Sequence, residues 1–299
     1  MLDLLQHEFV QNAFLAGTIV AVVTAMVGYF VILRAQAFAG EALTDMGFAG
    51  ATAAAVMGIS SFLGMLVMTL LSALGLGALG ERVRGRDVET GMVLSFALGL
   101  GVLFLSLYTQ RGSASARTGT GILFGSLLSI SRSDVLIALG CGVVILLLLA
   151  LLFRPLLFAS IDPVVARTRG VPVRLLSMVF LVLVGVTAAE SVLVVGVLLV
   201  AALLIAPAAT AQQLARRPRT AILLSVLLGL LYTWGGLLLA FVGTGRQLPA
   251  SFYITALASG SYLLVLLIRK IRSPRRVSTA PAQEAAAHAC HQAKEVVQP

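Results

Sequence analysis

Residues 135–153 read VLIALGCGVVILLLLALLF, a run of nineteen residues without one charged side chain. A helix of roughly 20 apolar residues crosses the hydrocarbon core of a bilayer, which is about 30 Å thick. Runs of this kind recur along the chain, whereas a membrane barrel would show alternating segments of about ten residues. The sequence therefore predicts a protein that spans the membrane with helices.

The composition agrees with that class. Of the 299 residues 59% are hydrophobic and only 11% are charged, and the mean hydropathy is +1.04. Soluble domains carry about 25% charged residues, so this chain cannot cover a water-facing surface, which excludes a soluble enzyme. In a membrane protein a net charge of +9 indicates cytoplasmic loops near anionic headgroups rather than nucleic acid as a partner.

A scan for apolar runs gives nine approximate spans, at residues 12–33, 42–58, 61–80, 90–109, 134–153, 175–190, 192–213, 220–243 and 250–269. The second is short, and the sixth and seventh meet around Glu190 almost without a loop. We therefore predict an all-α polytopic protein with eight or nine transmembrane helices, which form one domain over residues 1–272. Residues 273–299 are rich in Ala, Pro and Gln and predict a disordered cytoplasmic tail.

The cations predict the orientation. Seventeen of the 21 Lys and Arg residues fall on one side of these spans: Arg34, those within 82–86, 154–174 and 216–219, and those from Arg269 onward. The positive-inside rule makes this side cytoplasmic, so nine spans leave the N-terminus outside and the C-terminus inside. Residues 121–128 form an apolar stretch in an outer loop and predict a short re-entrant or interfacial helix.

Two carboxylates are candidates for chemistry. Glu41 and Asp45 are four residues apart, which places them on the same face of a helix, and small residues follow them. Ionisable groups inside a membrane are costly and usually functional, so a packed acidic pair could hold a cation. The alternative is that both acids lie in the first helical turn, where they favour the helix dipole and face cytoplasmic water.

Other polar positions have simpler interpretations. We interpret Glu190 as a turn acid near the outer surface, and Pro207 as a kink that could serve gating or only packing. In the tail, His288, Cys290 and His291 could bind a soft or borderline metal but are more simply incidental. Neither Lys270 nor Lys294 follows a glycine-rich phosphate-binding loop, so ATP, if it is used, binds to another polypeptide. The sequence predicts a transport subunit rather than an enzyme.

Three segments carry a resemblance to a known family. They are VILRAQAFAGEALTDMGFAG at 31–50, SIDPVVARTRGVP at 160–172 and VGVLLVAALLIAPAATA at 195–211. Their order and spacing resemble the integral-membrane permeases of bacterial ABC transporters for zinc, manganese and iron(II). The pattern of spans fits this family over roughly residues 10–272.

The resemblance implies a homodimeric permease in the bacterial plasma membrane. It would join two cytoplasmic ATP-binding subunits and receive metal from an extracellular metal-binding lipoprotein, with no tightly bound cofactor beyond the transported ion. It also implies that a cytoplasmic coupling segment docks on the ATPase; the residues of this segment are Asp162, Pro163, Ala166, Arg167 and Gly170.

The metal-binding Asp and His of the family fall on Glu41 and Asp45. The imidazole is therefore replaced by a carboxylate, and a dimer would present four carboxylates, which favours manganese or iron(II) over zinc. Three alternatives stay open: an ABC permease for a metal chelate such as a siderophore or cobalamin, an ion-coupled secondary transporter, and a membrane scaffold that transports nothing.

Overall fold

The computed structural model describes residues 8–79, 87–110, 121–125, 130–215, 217–242 and 249–272. These residues form ten helices and contain no strand, which confirms the all-α polytopic fold. The helices are α1 (Glu8–Leu33), α2 (Ala37–Met57), α3 (Ser61–Leu79), α4 (Asp87–Thr109), α5 (Arg132–Ile161), α6 (Pro163–Thr168), α7 (Val173–Val195), α8 (Val197–Leu214), α9 (Pro218–Val242) and α10 (Ala250–Arg272).

Eight of the nine long helices within the described residues are long and apolar enough to cross a membrane. The ninth is α2, which is rich in Gly and Ala and carries both Glu41 and Asp45. These side chains lower its hydropathy, which is why it reads as a short span in the sequence. The prediction of eight or nine spans therefore depends on this one helix.

Polar contacts join helix ends at two opposite ends of the helix bundle. At one, called the basic end, Arg174 donates to the carbonyl of Ala78 over 3.3 Å and Gln212 donates to the carbonyl of Tyr29 over 3.1 Å. At the other end, the Arg132 guanidinium pairs with the Glu8 carboxylate over 2.7 Å. This end is called the junction end because α7 joins α8 there. Helices α1, α5 and α8 therefore run in the same direction and α3 runs opposite to α7, as the predicted alternation of loops requires.

Helices α1 and α7 form the centre of the packing. Helix α1 packs against α5, α7, α8 and α9, and α7 also packs against α2 and α3. Phe30 of α1 makes edge-to-face contacts with Phe153 of α5 and Phe180 of α7, with ring centroids 5.6 and 6.4 Å apart. Such aromatic pairs add about 0.5–1.5 kcal/mol each beyond the burial of their area.

The junction between α7 and α8 differs from its predicted position. Helix α7 continues to Val195, and the chain turns at Gly196, whose φ of 84° suits glycine. Glu190 is therefore neither a turn residue nor near the surface: it lies inside α7 and is 1% exposed. The interpretation as an interfacial turn acid was wrong because the apolar run continues through Ser191 to Val195 after the single carboxylate.

Some sequence predictions fall outside the described residues. They are the tail with His288, Cys290 and His291, the arginines at 82–86, and residues 126–129 of the predicted outer helix, of which residues 121–124 form a helical turn. The chain divides into two compact units, Met1–Tyr262 and Leu263–Pro299, and the described part of the second is the last stretch of α10.

Helices α2 and α3 approach closely through glycine. A Cβ added to Gly50 would collide with the carbonyl oxygen of Gly64 and lie 2.6 Å from Cβ of Met68. Helices without side chains at the crossing can bring their backbones into contact, which is the way small residues pack membrane helices. The Gly50 and Gly64 contact therefore fixes α2, and the acids on it, against α3.

We expect Gly50→Ala to lower the free energy of unfolding by roughly 1–3 kcal/mol, because overpacking displaces the backbone. Thermal unfolding of the purified protein in detergent measures the change. Gly75→Ala in α3 is the matched control, since a Cβ there meets nothing within 4 Å. Equal stability of the two variants would contradict the close contact.

Candidate functional site

The acidic pair lies in the first half of α2, near the basic end. Helix α2 begins at Ala37, so Glu41 and Asp45 follow in its second and third turns rather than the first. Asp45 is buried, with 7% of its surface exposed, whereas Glu41 is half-buried. The interpretation that both acids sit in the first turn and face cytoplasmic water does not describe Asp45.

The face of α2 beside the pair packs against apolar side chains. Next to Glu41, Gly40 faces Leu204 of α8 and Val184 of α7, and a Cβ there would lie 3.2 and 3.7 Å from their side chains. The hydroxyl of Thr44 donates to the carbonyl of Gly40 over 3.0 Å and so satisfies itself within α2. The Thr44 hydroxyl is therefore not available to the acids, and the adjoining Gly40 face of α2 packs against α7 and α8.

The two carboxylates interact electrostatically with one another. Among the described residues neither of them forms a hydrogen bond or an ion pair. Two like charges close together and away from water are mutually unfavourable, and a divalent cation between them would remove the repulsion. In the described part of the chain no three His, Cys, Asp or Glu side chains cluster, so one chain offers two acidic ligands at this position.

The predicted coupling segment forms a compact corner at the basic end. The Asp162 carboxylate accepts from the backbone N–H groups of Val164 and Val165 over 3.1 and 3.0 Å and so caps α6. Pro163 occupies the first position of α6, which its fixed φ favours. The αL conformation of Gly170, with φ of 78°, then turns the chain toward α7.

The same corner has one buried and one exposed face. Ala166 is fully buried, whereas Val164 and Ile161 are 69% and 67% exposed. Arg169 lies with its guanidinium carbon 5.8 Å from the ring centroid of Phe158, and Arg167 occupies the last turn of α6. Exposed apolar side chains beside two arginines, on a rigid corner, are suited to contact with another protein.

Pro207 lies inside α8 and is buried. One turn before it, the carbonyl oxygen of Leu204 lies so close to Gly28 of α1 that an added Cβ would collide with it. Proline prevents the normal helical hydrogen bond at this level, and the site therefore combines a weakened helix with tight interhelical packing.

Arg34 connects the turn before α2 to α7, and the sequence pattern alone did not indicate this contact. It lies in the turn between α1 and α2, is 6% exposed, donates to the hydroxyl of Ser177 and stands 5.3 Å from the ring centroid of Phe180. Both partners belong to α7, which follows the coupling segment. A basic residue after an apolar span usually faces water, and only the tertiary packing reveals that this one is buried.

Comparisons with known proteins agree with this architecture. The chain is 37% identical to the manganese import system permease protein ScaB of Streptococcus parasanguinis over 268 residues, which cover 88% of this chain and 91% of that protein. It is 31% identical to the manganese transport system membrane protein MntC of Halalkalibacterium halodurans over 241 residues, covering 79% and 80%.

Among solved structures, the chain is similar to one of PsaBC from Streptococcus pneumoniae in complex with Fab, with 27% identity, a TM-score of 0.77 and coverage of 93% of this chain and 97% of that one. An inward-facing putative metal-chelate type ABC transporter shares the fold alone, at 18% identity and a TM-score of 0.64, with 86% and 85% covered. The pattern that defines the ABC 3 transport family matches residues 6–269. The chain is therefore a multi-pass membrane permease that belongs to the ABC 3 transport family.

Proposed function

We propose that this permease imports divalent transition metal ions, with manganese as the preferred cargo, iron(II) next and zinc disfavoured. The observation that carries the proposal is the acidic pair Glu41 and Asp45 on α2: Asp45 is buried, Glu41 is half-buried, and neither has a hydrogen-bond or ion-pair partner among the described residues. The relatives at 31% and 37% identity are a manganese transport system membrane protein and a manganese import system permease protein, which supports the same cargo here. Carboxylate oxygens suit manganese, whereas zinc prefers nitrogen or sulfur ligands.

The site needs a second copy of the chain to be complete. One chain brings two carboxylates, and manganese usually takes about six ligands, so two copies with four carboxylates and water provide a sufficient set. The mechanism is alternating access. The ion enters from outside and relieves the electrostatic repulsion among the carboxylates. It leaves toward the cytoplasm when ATP hydrolysis in a separate subunit moves the helices. In this orientation the basic end and the C-terminus are cytoplasmic, and an extracellular lipoprotein delivers the ion.

The chelate alternative has weaker support. A siderophore permease needs a wide path and no acidic pair, whereas this chain carries two carboxylates, one of them buried, on a helix of small residues. The similarity to the metal-chelate type transporter is a similarity of fold. A bare cation is therefore the better match to the side chains of α2.

The double variant Glu41→Gln/Asp45→Asn tests the cargo and the site together. We expect it to lower manganese accumulation by roughly ten- to hundredfold, as the loss of metal-binding groups does, at equal membrane abundance. Elemental analysis of cells that express the chain with its ATPase measures manganese, iron and zinc in one sample. Glu8→Gln, which removes an exposed carboxylate at the junction end, is the matched control. Unchanged manganese uptake in the double variant would rule out this site.

The corner formed by α6 is proposed to dock on the ATP-binding subunit. Its support is the exposed pair Ile161 and Val164 beside Arg167, on a helix that Asp162 caps and Gly170 closes. Through the buried Ala166 and the short connection to α7, movement of the corner would pass directly into the bundle.

For this docking we expect Asp162→Ala to remove the cap, which costs about 1 kcal/mol, and to reduce the ATPase that copurifies with the permease. Asp162→Asn keeps an N-capping oxygen and should retain the complex. Quantitative copurification from detergent extracts measures both. If the two variants retain the ATPase equally, the cap of α6 has no part in docking.

Arg34 is proposed as a positioning residue between the docking corner and the acids. It spans from the turn before α2 to Ser177 and Phe180 of α7. The turn itself is tight, with φ of 53° at Ala35 and a bond from the N–H of Gln36 to the carbonyl of Val31 over 2.9 Å. A shift of α7 would therefore move the start of α2.

We expect Arg34→Gln to uncouple the transporter: ATP hydrolysis continues while metal imported per ATP falls several-fold, because a buried charge-assisted hydrogen bond contributes about 1.5–3 kcal/mol. Transport and hydrolysis are measured together in proteoliposomes, and Arg34→Lys should restore part of the ratio. Arg174→Gln, another arginine near the start of α7, is the control. A parallel fall of hydrolysis and transport in Arg34→Gln would show general damage instead of uncoupling.

A further inference from the structure

Glu190 is a buried acid that the proposed transport cycle does not use. It is 1% exposed, and neither carboxylate oxygen has a hydrogen-bond partner among the described residues. It lies about 9 Å before the α7–α8 junction at Gly196, in the half of the bundle away from Glu41 and Asp45. Buried polar groups are nearly always paired, so a carboxyl group with both oxygens unpaired requires an explanation.

The surroundings of this carboxyl group are formed by three helices. A Cβ added to Gly142 of α5 would lie 3.2 Å from Oε1 of Glu190 and 3.1 Å from methyl groups of Ile19 and Val23 of α1. The missing side chain at Gly142 thus leaves space that the carboxyl group occupies. Ile19 and Val23 offer no polar atoms in their side chains, so α1 cannot satisfy the acid.

One ionisable group of α5 lies one residue from the glycine against which the Glu190 carboxyl group packs. Cys141, next to Gly142, is a free cysteine that is half-buried and interacts electrostatically with the Glu190 carboxylate. Among the described residues Ser191 also has a buried hydroxyl oxygen without a partner, on the residue next to Glu190 in α7. A thiol and an unpaired carboxyl group therefore occupy adjoining positions where α5 packs against α7.

We propose that Cys141 and Glu190 form a second cation site, separate from Glu41 and Asp45, that takes a thiophilic divalent ion of the zinc and cadmium class. The thiolate and the two carboxylate oxygens supply three donor atoms, and an exchangeable ligand completes a four-coordinate site. The ion binds the deprotonated forms of both groups, so protons compete with it for the site. The charges of the ion, the thiolate and the carboxylate then sum to zero, which removes the cost of an isolated buried charge.

The choice of ion follows from the sulfur. Thiolates select soft and borderline ions, whereas manganese prefers oxygen ligands alone. The two acidic regions of the chain therefore differ in the metals that they accept: oxygen ligands on α2, and sulfur with oxygen between α5 and α7. An ion at Cys141 and Glu190 would join α5 to α7 and restrict their relative movement.

Cadmium binding to the purified full-length chain tests the site without the ATPase or transport, so its outcome is independent of the proposed function. The chain has two cysteines, and a Cys290→Ser background leaves Cys141 as the single thiol. Titration with cadmium chloride in detergent should produce the ultraviolet charge-transfer absorbance of a cadmium thiolate, saturating at one ion per chain. The same ion should raise Tm, since a ligand that binds the folded state stabilises it.

We expect Cys141→Ser to abolish the absorbance, and Glu190→Gln to weaken cadmium binding by about tenfold or more. The control is Glu8→Gln, which changes an exposed glutamate where the first turns of α1 and α5 meet. This variant should bind cadmium as the parent does. Glu190→Asp keeps a carboxylate and provides a second test should Glu190→Gln lose its helical circular dichroism. No cadmium thiolate in the Cys290→Ser background, or equal binding by the parent and a folded Glu190→Gln chain, would overturn the proposal.

Discussion

The absence of water in the bilayer is the constraint on which the rest of this structure depends. Backbone groups that cannot bond to water must bond within their own segment, which makes every described span a helix. The same constraint makes each charge expensive, so the few acids inside the bundle stand out from a background of Leu, Val, Ala and Gly. Asp45 and Glu190 are informative because nothing in lipid or in apolar packing would retain them by default.

Small residues determine where the acids can be. Gly40 lets α2 approach α7 and α8, and Gly50 and Gly64 bring α2 into contact with α3. Bulky side chains at these positions would separate the helices and let lipid or water reach the carboxylates. Helix α2 is thus less hydrophobic than its neighbours for a physical reason, since its role in packing depends on small side chains rather than on large apolar ones.

The sequence predicts much of the fold and less of the site. Apolar length and the positions of cations suffice for the helices and their order, because these depend on local composition. The resemblance to the family depends instead on three motif segments. The pairing of Glu41 with Asp45 follows from helical spacing. The burial of Arg34 and Glu190 does not follow from spacing. Arg34 contacts Ser177, and Glu190 occupies the space left by the missing side chain of Gly142; each partner lies more than forty residues away along the chain. For Glu190, its small neighbours Ala188, Ala189 and Ser191 were the one local sign of a packed interior.

The contact between Gly50 and Gly64 has a consequence for how motion in this protein can be observed. Two backbones in direct contact, joined by a connection at residues 58–60, cannot separate at this crossing without loss of the contact. A displacement of the acids on α2 that keeps this contact therefore carries α3 with it. Leu63 and Leu71, which are 56% and 60% exposed on α3, give attachment points for spin labels that would report the position of the acid pair without touching it.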